Sequence, residues 1–128
     1  MKIRTALLLT DGENFEEMLT EALTGSGATI LVTRNVADAL EIGCRRGAEL
    51  DLAVIDRSDC HAITLLSAIK ACRHELPIVV VTSSDSGHCA AIAYANGAGA
   101  CIVKPITAAD LKVVLNQLCQ PKLELALA

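Results

Sequence analysis

The sequence predicts an α/β fold, a doubly wound (βα)5 three-layer sandwich around a five-stranded parallel sheet. Two observations carry that expectation. Five short runs along the chain are apolar throughout rather than alternating, as strands buried on both faces are. Between them lie stretches with apolar residues at helical spacing, so a helix follows every strand and right-handed crossovers return each one to the same sheet.

Arg4–Leu9 (RTALLL) is the first strand run, ending at Thr10-Asp11-Gly12. Asn14–Leu23 follows as a helix with Phe15, Met18, Leu19, Ala22 and Leu23 on one face, and Asn14 with Glu17 resembles a capping box. Gly25-Ser26-Gly27 stops it. Thr29–Val32 is the second strand, and Asn35 caps a helix running through Cys44. Leu52–Ile55 is the third strand, with Asp56 at its end, and His61–Cys72 carries Ile63, Leu66 and Ile69 at helical spacing. Pro77 introduces the fourth strand, Ile78–Val81, which Thr82-Ser83-Ser84-Asp85 closes. Ala90–Ala95 is a small-residue helix broken by Asn96-Gly97. Ala100–Val103 is the fifth strand and Lys104-Pro105 follows it; Thr107 caps a last helix with Leu111, Val114, Leu115 and Leu118 on one side.

Composition narrows the function. A chain of 128 residues holds one domain, and 52% hydrophobic against 20% charged residues favours a buried core over disorder. A net charge of −4 argues against binding a phosphate backbone. Apolar runs such as Ala6–Leu9 and Ile78–Val81 fall far short of the roughly 20 residues of a bilayer span. Lys2 and Arg4 precede an apolar run that Asp11 ends too early for a signal peptide, so a cytoplasmic location is expected. The cysteines at 44, 60, 72, 89, 101 and 119 include no CxxC pair and are expected to be reduced structural thiols acting as small hydrophobes. Cys60-His61 and His88-Cys89 are adjacent pairs, which rarely chelate one ion, and no further ligands fall at zinc spacing. His61, His74 and His88 read as surface or loop residues.

Sheets of this class bind ligands just beyond the carboxyl ends of their strands. There the sequence places Thr10 and Asp11, then Asp56, then Thr82 and Ser83, then Lys104. Each has a plain local role, as a helix cap, a turn former or a solvated turn. Carboxylates, hydroxyls and an ammonium at four of five strand ends are harder to explain as turn chemistry.

Those residues carry a resemblance. Leu7-Leu8-Leu9-Thr10-Asp11, Asp51-Leu52-Ala53-Val54-Ile55-Asp56, Leu76 through Ser83, and Asn96-Gly97-Ala98 through Val103-Lys104-Pro105 resemble, in order and spacing, the receiver domain of two-component response regulators. The resemblance covers nearly the whole chain. It implies a flavodoxin-like strand order, 2-1-3-4-5, with residues 1–119 as the receiver domain and 120–128 as a tail or linker stub. It implies that Asp56 accepts a phosphoryl group from a sensor histidine kinase or a phosphotransfer protein. Asp11, Asp56 and the backbone carbonyl of Ser58 would hold Mg2+, a hard cation that takes carboxylate oxygens and water. Lys104, the Thr82 hydroxyl and the Ser83 backbone N–H would meet the phosphoryl oxygens. Such a protein signals by changing shape and is not an enzyme.

Three features depart from the family pattern. Thr10 stands where a first acid is usual, leaving Asp11 alone, with Glu13 close in sequence. The loop after Asp56, Arg57-Ser58-Asp59-Cys60-His61-Ala62, reads about two residues short and brings Arg57 and Asp59 beside the acceptor. Cys101 replaces the usual aromatic three residues before Lys104, and Phe15 and Tyr94 are the chain's aromatics, so the usual aromatic switch is not expected.

The competing function is a degenerate receiver acting as a phosphorylation-independent protein-interaction module. An aspartyl-phosphate phosphatase is disfavoured because Ser58 stands where a second acid would act, and a nucleotide or flavin site because Thr10-Asp11-Gly12-Glu13-Asn14 is no phosphate loop. The small residues Ala90, Ala91, Ala93, Ala95 and Ala98 suit close packing, on the chain's own sheet or at a homodimer or partner face. Pro121 ends the last helix, leaving a tail that suits either a link to an output domain or the end of a single-domain protein.

Overall fold

A computed structural model describes residues 3–57, 60–83 and 87–119. Strands β1 (Thr5–Thr10), β2 (Thr29–Thr33), β3 (Leu52–Asp56), β4 (Ile78–Thr82) and β5 (Ala100–Val103) form one parallel sheet in the order β2-β1-β3-β4-β5. The helices are α1 (Glu13–Ala22), α2 (Val36–Arg45), α3 (Cys60–Cys72), α4 (Gly87–Ala95) and α5 (Ala108–Leu118). The expected architecture and strand order are those observed.

Alternation along the buried strands divides the core into two layers. Ala6, Leu8, Leu52, Val54, Val79 and Val81 pack against Phe15 and Leu19 of α1 and Leu111 and Leu115 of α5. Leu7, Leu9, Ala53, Ile55, Ile78 and Val80 face Ala39 of α2, Leu65, Leu66 and Ile69 of α3 and Ala93 of α4. β3 and β4 are buried along their whole length, whereas edge strand β5 is half-buried and ends exposed.

Several local expectations change. β1, β3 and β4 each run one residue further than the apolar run, so Thr10, Asp56 and Thr82 are terminal strand residues rather than loop residues. Their backbones are fixed by sheet register, with Thr10 opposite Asp56 and Thr82 opposite Val103. α1 is capped by Gly12 and receives no side-chain cap, so the Asn14–Glu17 capping box does not form. Extended backbone at Gly12 takes the cap position, which draws Asn14 into the first turn. The caps at Asn35 and Thr107 do form, each side chain accepting from a backbone N–H three residues on, and Thr107 with Asp110 completes a capping box. A 3-10 turn at Gly47–Glu49, unsignalled by periodicity, leads into β3. Cys44 and Cys72 are exposed rather than core thiols, each in the last turn of its helix and just outside the contact of Gly43 with Ile69.

At the amino end of β3, the Asp51 carboxylate accepts from the backbone N–H groups of Arg4 (2.8 Å) and Thr5 (3.2 Å), tying the entries of β1 and β3 together. No helix among the described residues is long and apolar enough to cross a membrane.

Candidate functional site

The strand order reverses between β1 and β3, and the site lies where their carboxyl ends diverge. Because Thr10 and Asp56 are register partners in parallel strands, their side chains leave the same face, the one covered by α1 and α5. Asp56 is 8% exposed. Burial of a carboxylate demands partners, and both oxygens have one. Lys104 Nζ lies 2.7 Å from Oδ1 and the Thr10 hydroxyl donates to Oδ2 at 2.6 Å. Thr10 Oγ1 also accepts from the Gly12 N–H at 3.1 Å, which relays from the start of α1 to the carboxylate. Its single proton goes to Asp56 in preference to the Gly12 carbonyl, 3.1 Å away, because the charged acceptor is nearer.

Lys104 reaches Asp56 from beyond the end of β5. Its backbone N–H donates to the Thr82 carbonyl at 2.8 Å, and a cis peptide bond joins it to Pro105. Its ammonium lies 5.6 Å from the centre of the Phe15 ring, within cation–π range. The side chain stays 41% exposed, so its charged end borders solvent while its partner does not.

These groups open onto a cleft of about 490 Å3 lined by Asp11, Gly12, Asn14, Phe15, Asp56, Arg57, Ser83 and Lys104. The structure therefore brings Asp11, Asp56, Ser83 and Lys104 together, with Thr10 beneath Asp56. Thr82, buried at the end of β4, is not among the residues lining the cleft; its carbonyl accepts from the Lys104 backbone N–H. Arg57 lines the cleft as its place in sequence implied; Ser58 and Asp59 lie outside the described residues, as does the Glu13 side chain. Arg34 braces the rim, donating to the Thr10 and Gly12 carbonyls at 3.4 and 3.2 Å and pairing with Glu16 at 3.2 Å. Sequence reasoning missed Arg34 and Phe15 as site neighbours, since nothing in their spacing signals the rim of another strand's end.

Cys101 does not reach this cleft. It lies in a second groove, of about 370 Å3, between α4, β5 and α5. There its backbone N–H donates to the Tyr94 hydroxyl at 3.1 Å. An aromatic ring therefore does stand beside position 101, supplied by α4 rather than by β5, and sequence separation hid it.

The donor set suits a hard divalent cation. Asp11 and Asp56 give carboxylate oxygens in a polar cleft with room for water, as Mg2+ prefers. No cluster of three or more His, Cys, Asp or Glu side chains poised for a metal occurs among the described residues.

Fold and cleft together define a class: open parallel α/β domains with a polar site at the reversal of strand order. The family model for the response regulator receiver domain matches residues 6–116, and the chain belongs to that family. Among solved structures, a CheY-like receiver domain protein from Methanospirillum hungatei JF-1 is 19% identical, with TM-score 0.78 over 91% of this chain and 93% of that one. A response regulator from Burkholderia multivorans is 24% identical, with TM-score 0.74 over 94% and 98%. NtrX from Brucella abortus is 23% identical, with TM-score 0.79 over 94% of this chain and 27% of its own. No curated protein sequence matches.

Proposed function

We propose that this receiver domain takes a phosphoryl group on Asp56 from a phosphohistidine donor, a sensor kinase or phosphotransfer protein, in a Mg2+-dependent step. The observation that carries the reading is a buried carboxylate whose two oxygens are held by the side chains of Thr10 and Lys104 at the floor of a polar cleft. A carboxylate is a weak nucleophile, so the work of the site is positioning and charge neutralisation. Thr10 fixes the plane of the carboxylate through Oδ2. An Asp56 oxygen attacks phosphorus as the bond from phosphorus to the donor nitrogen breaks, and the histidine leaves with the bonding pair. Lys104, half in solvent, follows the charge from Oδ1 to the phosphoryl oxygens. The Thr82 hydroxyl, at the last residue of β4, and the Ser83 N–H just after it would close on the same group. Asp11 and Asp56 would hold Mg2+, which supplies positive charge against the incoming phosphoryl oxygens. Phosphorylation adds about −1.5 to −2 charge, and drawing Lys104 and Thr82 toward it shifts the ends of β4 and β5 between two arrangements.

The domain works in this reading as a cytoplasmic signalling module, passing its state to a partner or a linked output domain. One observation favours a second reading, a phosphorylation-independent interaction module: Thr10 occupies Asp56 Oδ2 where the family usually supplies another acid. Intact mass after incubation with acetyl phosphate separates the two. The phosphoacceptor reading expects one added phosphoryl group, lost on chelating Mg2+ and absent in Asp56→Asn. No gain in folded protein moves the reading to the interaction module.

A further inference from the structure

Away from the cleft, the ends of α2 and α3 hold a pair of thiols. Cys44 and Cys72, 28 positions apart in sequence, place their sulfurs 3.0 Å apart in an S–H···S contact, and both residues are exposed. The cause is a close helix crossing. Gly43 lies against Ile69, and a Cβ at Gly43 would sit 2.8 Å from the Ile69 side chain. Lacking one, α2 settles onto α3, and the next outward position on each helix is a cysteine. From 3.0 Å, a bond of about 2.05 Å needs about 1 Å of approach, within the reach of side-chain rotation.

We propose that Cys44 and Cys72 form a redox-sensitive dithiol that low-molecular-weight disulfides, of the glutathione type, convert to an intramolecular disulfide. A thiol loses its proton, and the thiolate attacks one sulfur of the small disulfide, releasing one small thiolate and leaving a mixed disulfide. The second cysteine, deprotonated, attacks the protein sulfur of that mixed disulfide and releases the second small thiolate. The chain loses two electrons and two protons, and one small disulfide becomes two small thiols.

The geometry sets the kinetics. Cys44 lies in the last turn of α2, where the dipole disfavours a thiolate, so its own attack is slow. The hydrogen bond with Cys72 raises the Cys44 pKa first, with burial and the charge of a Cys72 thiolate adding to it. The second attack is intramolecular between neighbouring sulfurs and outruns release of the adduct. The mixed disulfide then does not accumulate in the native chain.

The test uses the full chain in a glutathione redox buffer, quenched with acid and read by intact mass and peptide mapping. The native chain is expected to lose two hydrogens and yield a Cys44–Cys72 linked peptide, with no persistent glutathione adduct. Cys44→Ser and Cys72→Ser are each expected to retain the adduct on the remaining thiol at about tenfold or higher occupancy than the native chain. Gly43→Ala, whose added Cβ crowds the Ile69 side chain where the helices meet, is expected to slow bridge formation while leaving adduct formation intact. Adduct persistence in the native chain equal to that in the variants overturns the proposal, as does a bridge mapped to other cysteines.

Discussion

Strand β3 ends on one aspartate, Asp56, and is preceded by another, Asp51, and the two are satisfied in opposite ways. Asp51 accepts from two backbone N–H groups, donors that cannot move without moving β1. Asp56 accepts from the side chains of Thr10 and Lys104, donors that can rotate away. Asp51 is half-buried outside any described cleft, whereas Asp56 is buried at the floor of one. A carboxylate that must stay put is held by main chain; one that must react is held by groups able to follow a change in its charge. The contrast separates structural from chemical aspartates that lie five positions apart in one short segment.

The largest effect comes from removing each in turn. Asp51→Ala strips two charge-assisted hydrogen bonds, about 1.5–3 kcal/mol each at most, and leaves partly solvated donors behind. Its unfolding free energy is expected to fall by about 2–3 kcal/mol, with phosphoryl acceptance retained. Asp56→Asn is expected to do the reverse. The amide oxygen still accepts from Lys104, and the amide N–H can donate to Thr10 Oγ1 while that hydroxyl turns its proton to the Gly12 carbonyl. Every partner is kept and a desolvated charge is removed, so stability changes by less than about 1 kcal/mol while acceptance is lost. Denaturant titration with acetyl phosphate labelling checks both; Asp51→Ala losing acceptance while still folded would erase the distinction.

A smaller effect tests Thr10. Thr10→Asp restores the acid the family usually has and sets it opposite Asp56 in the sheet register. Two carboxylates there repel unless a cation lies between them, so the variant is expected to be less stable than the native chain without metal. Added Mg2+ binds the folded state and restores that stability. The Mg2+ concentration that half-saturates phosphorylation is expected to drop about tenfold, because ligand charge governs affinity for hard cations. An unchanged Mg2+ requirement, with no metal-dependent shift in melting, would show that Thr10 does not face the cation site.

Much of this was legible in sequence because buried parallel strands announce themselves. IVVV and LAVI have no polar position, and the polar residue ending each run marks where the sheet meets solvent. Since every strand points the same way, those polar ends had to fall on one edge, which is how Asp11, Asp56, Ser83 and Lys104 could be brought together in advance. Contacts across elements were hidden. Periodicity placed Phe15 on the core face of α1 without revealing Lys104 above its ring. The cap at Gly12 escaped notice because a glycine cap carries no side-chain signal, whereas Asn35 and Thr107 do. The exposure of Cys44 and Cys72 was equally invisible, since it depends on how α2 meets α3.

The smallest effect concerns the far edge of the sheet, where β5 presents outward-facing backbone with no further strand among the described residues to pair it. Tyr94, 52% exposed, meets that edge by accepting the Cys101 N–H through its phenol oxygen. Tyr94→Phe keeps the ring and removes the acceptor, and water can partly replace it at so open a site. Global stability is expected to fall by about 0.5–1 kcal/mol, and amide exchange at Cys101 to quicken about two- to fivefold. Unchanged exchange at Cys101 would mean that solvent already serves that N–H and the ring rests there by packing alone. A larger change at Cys101 in phosphorylated than in unphosphorylated protein would mean that the edge senses Asp56. The two ends of β3 would then differ in a further respect, since the reacting end would be coupled through Lys104 and β5 to a surface that the structural end never touches.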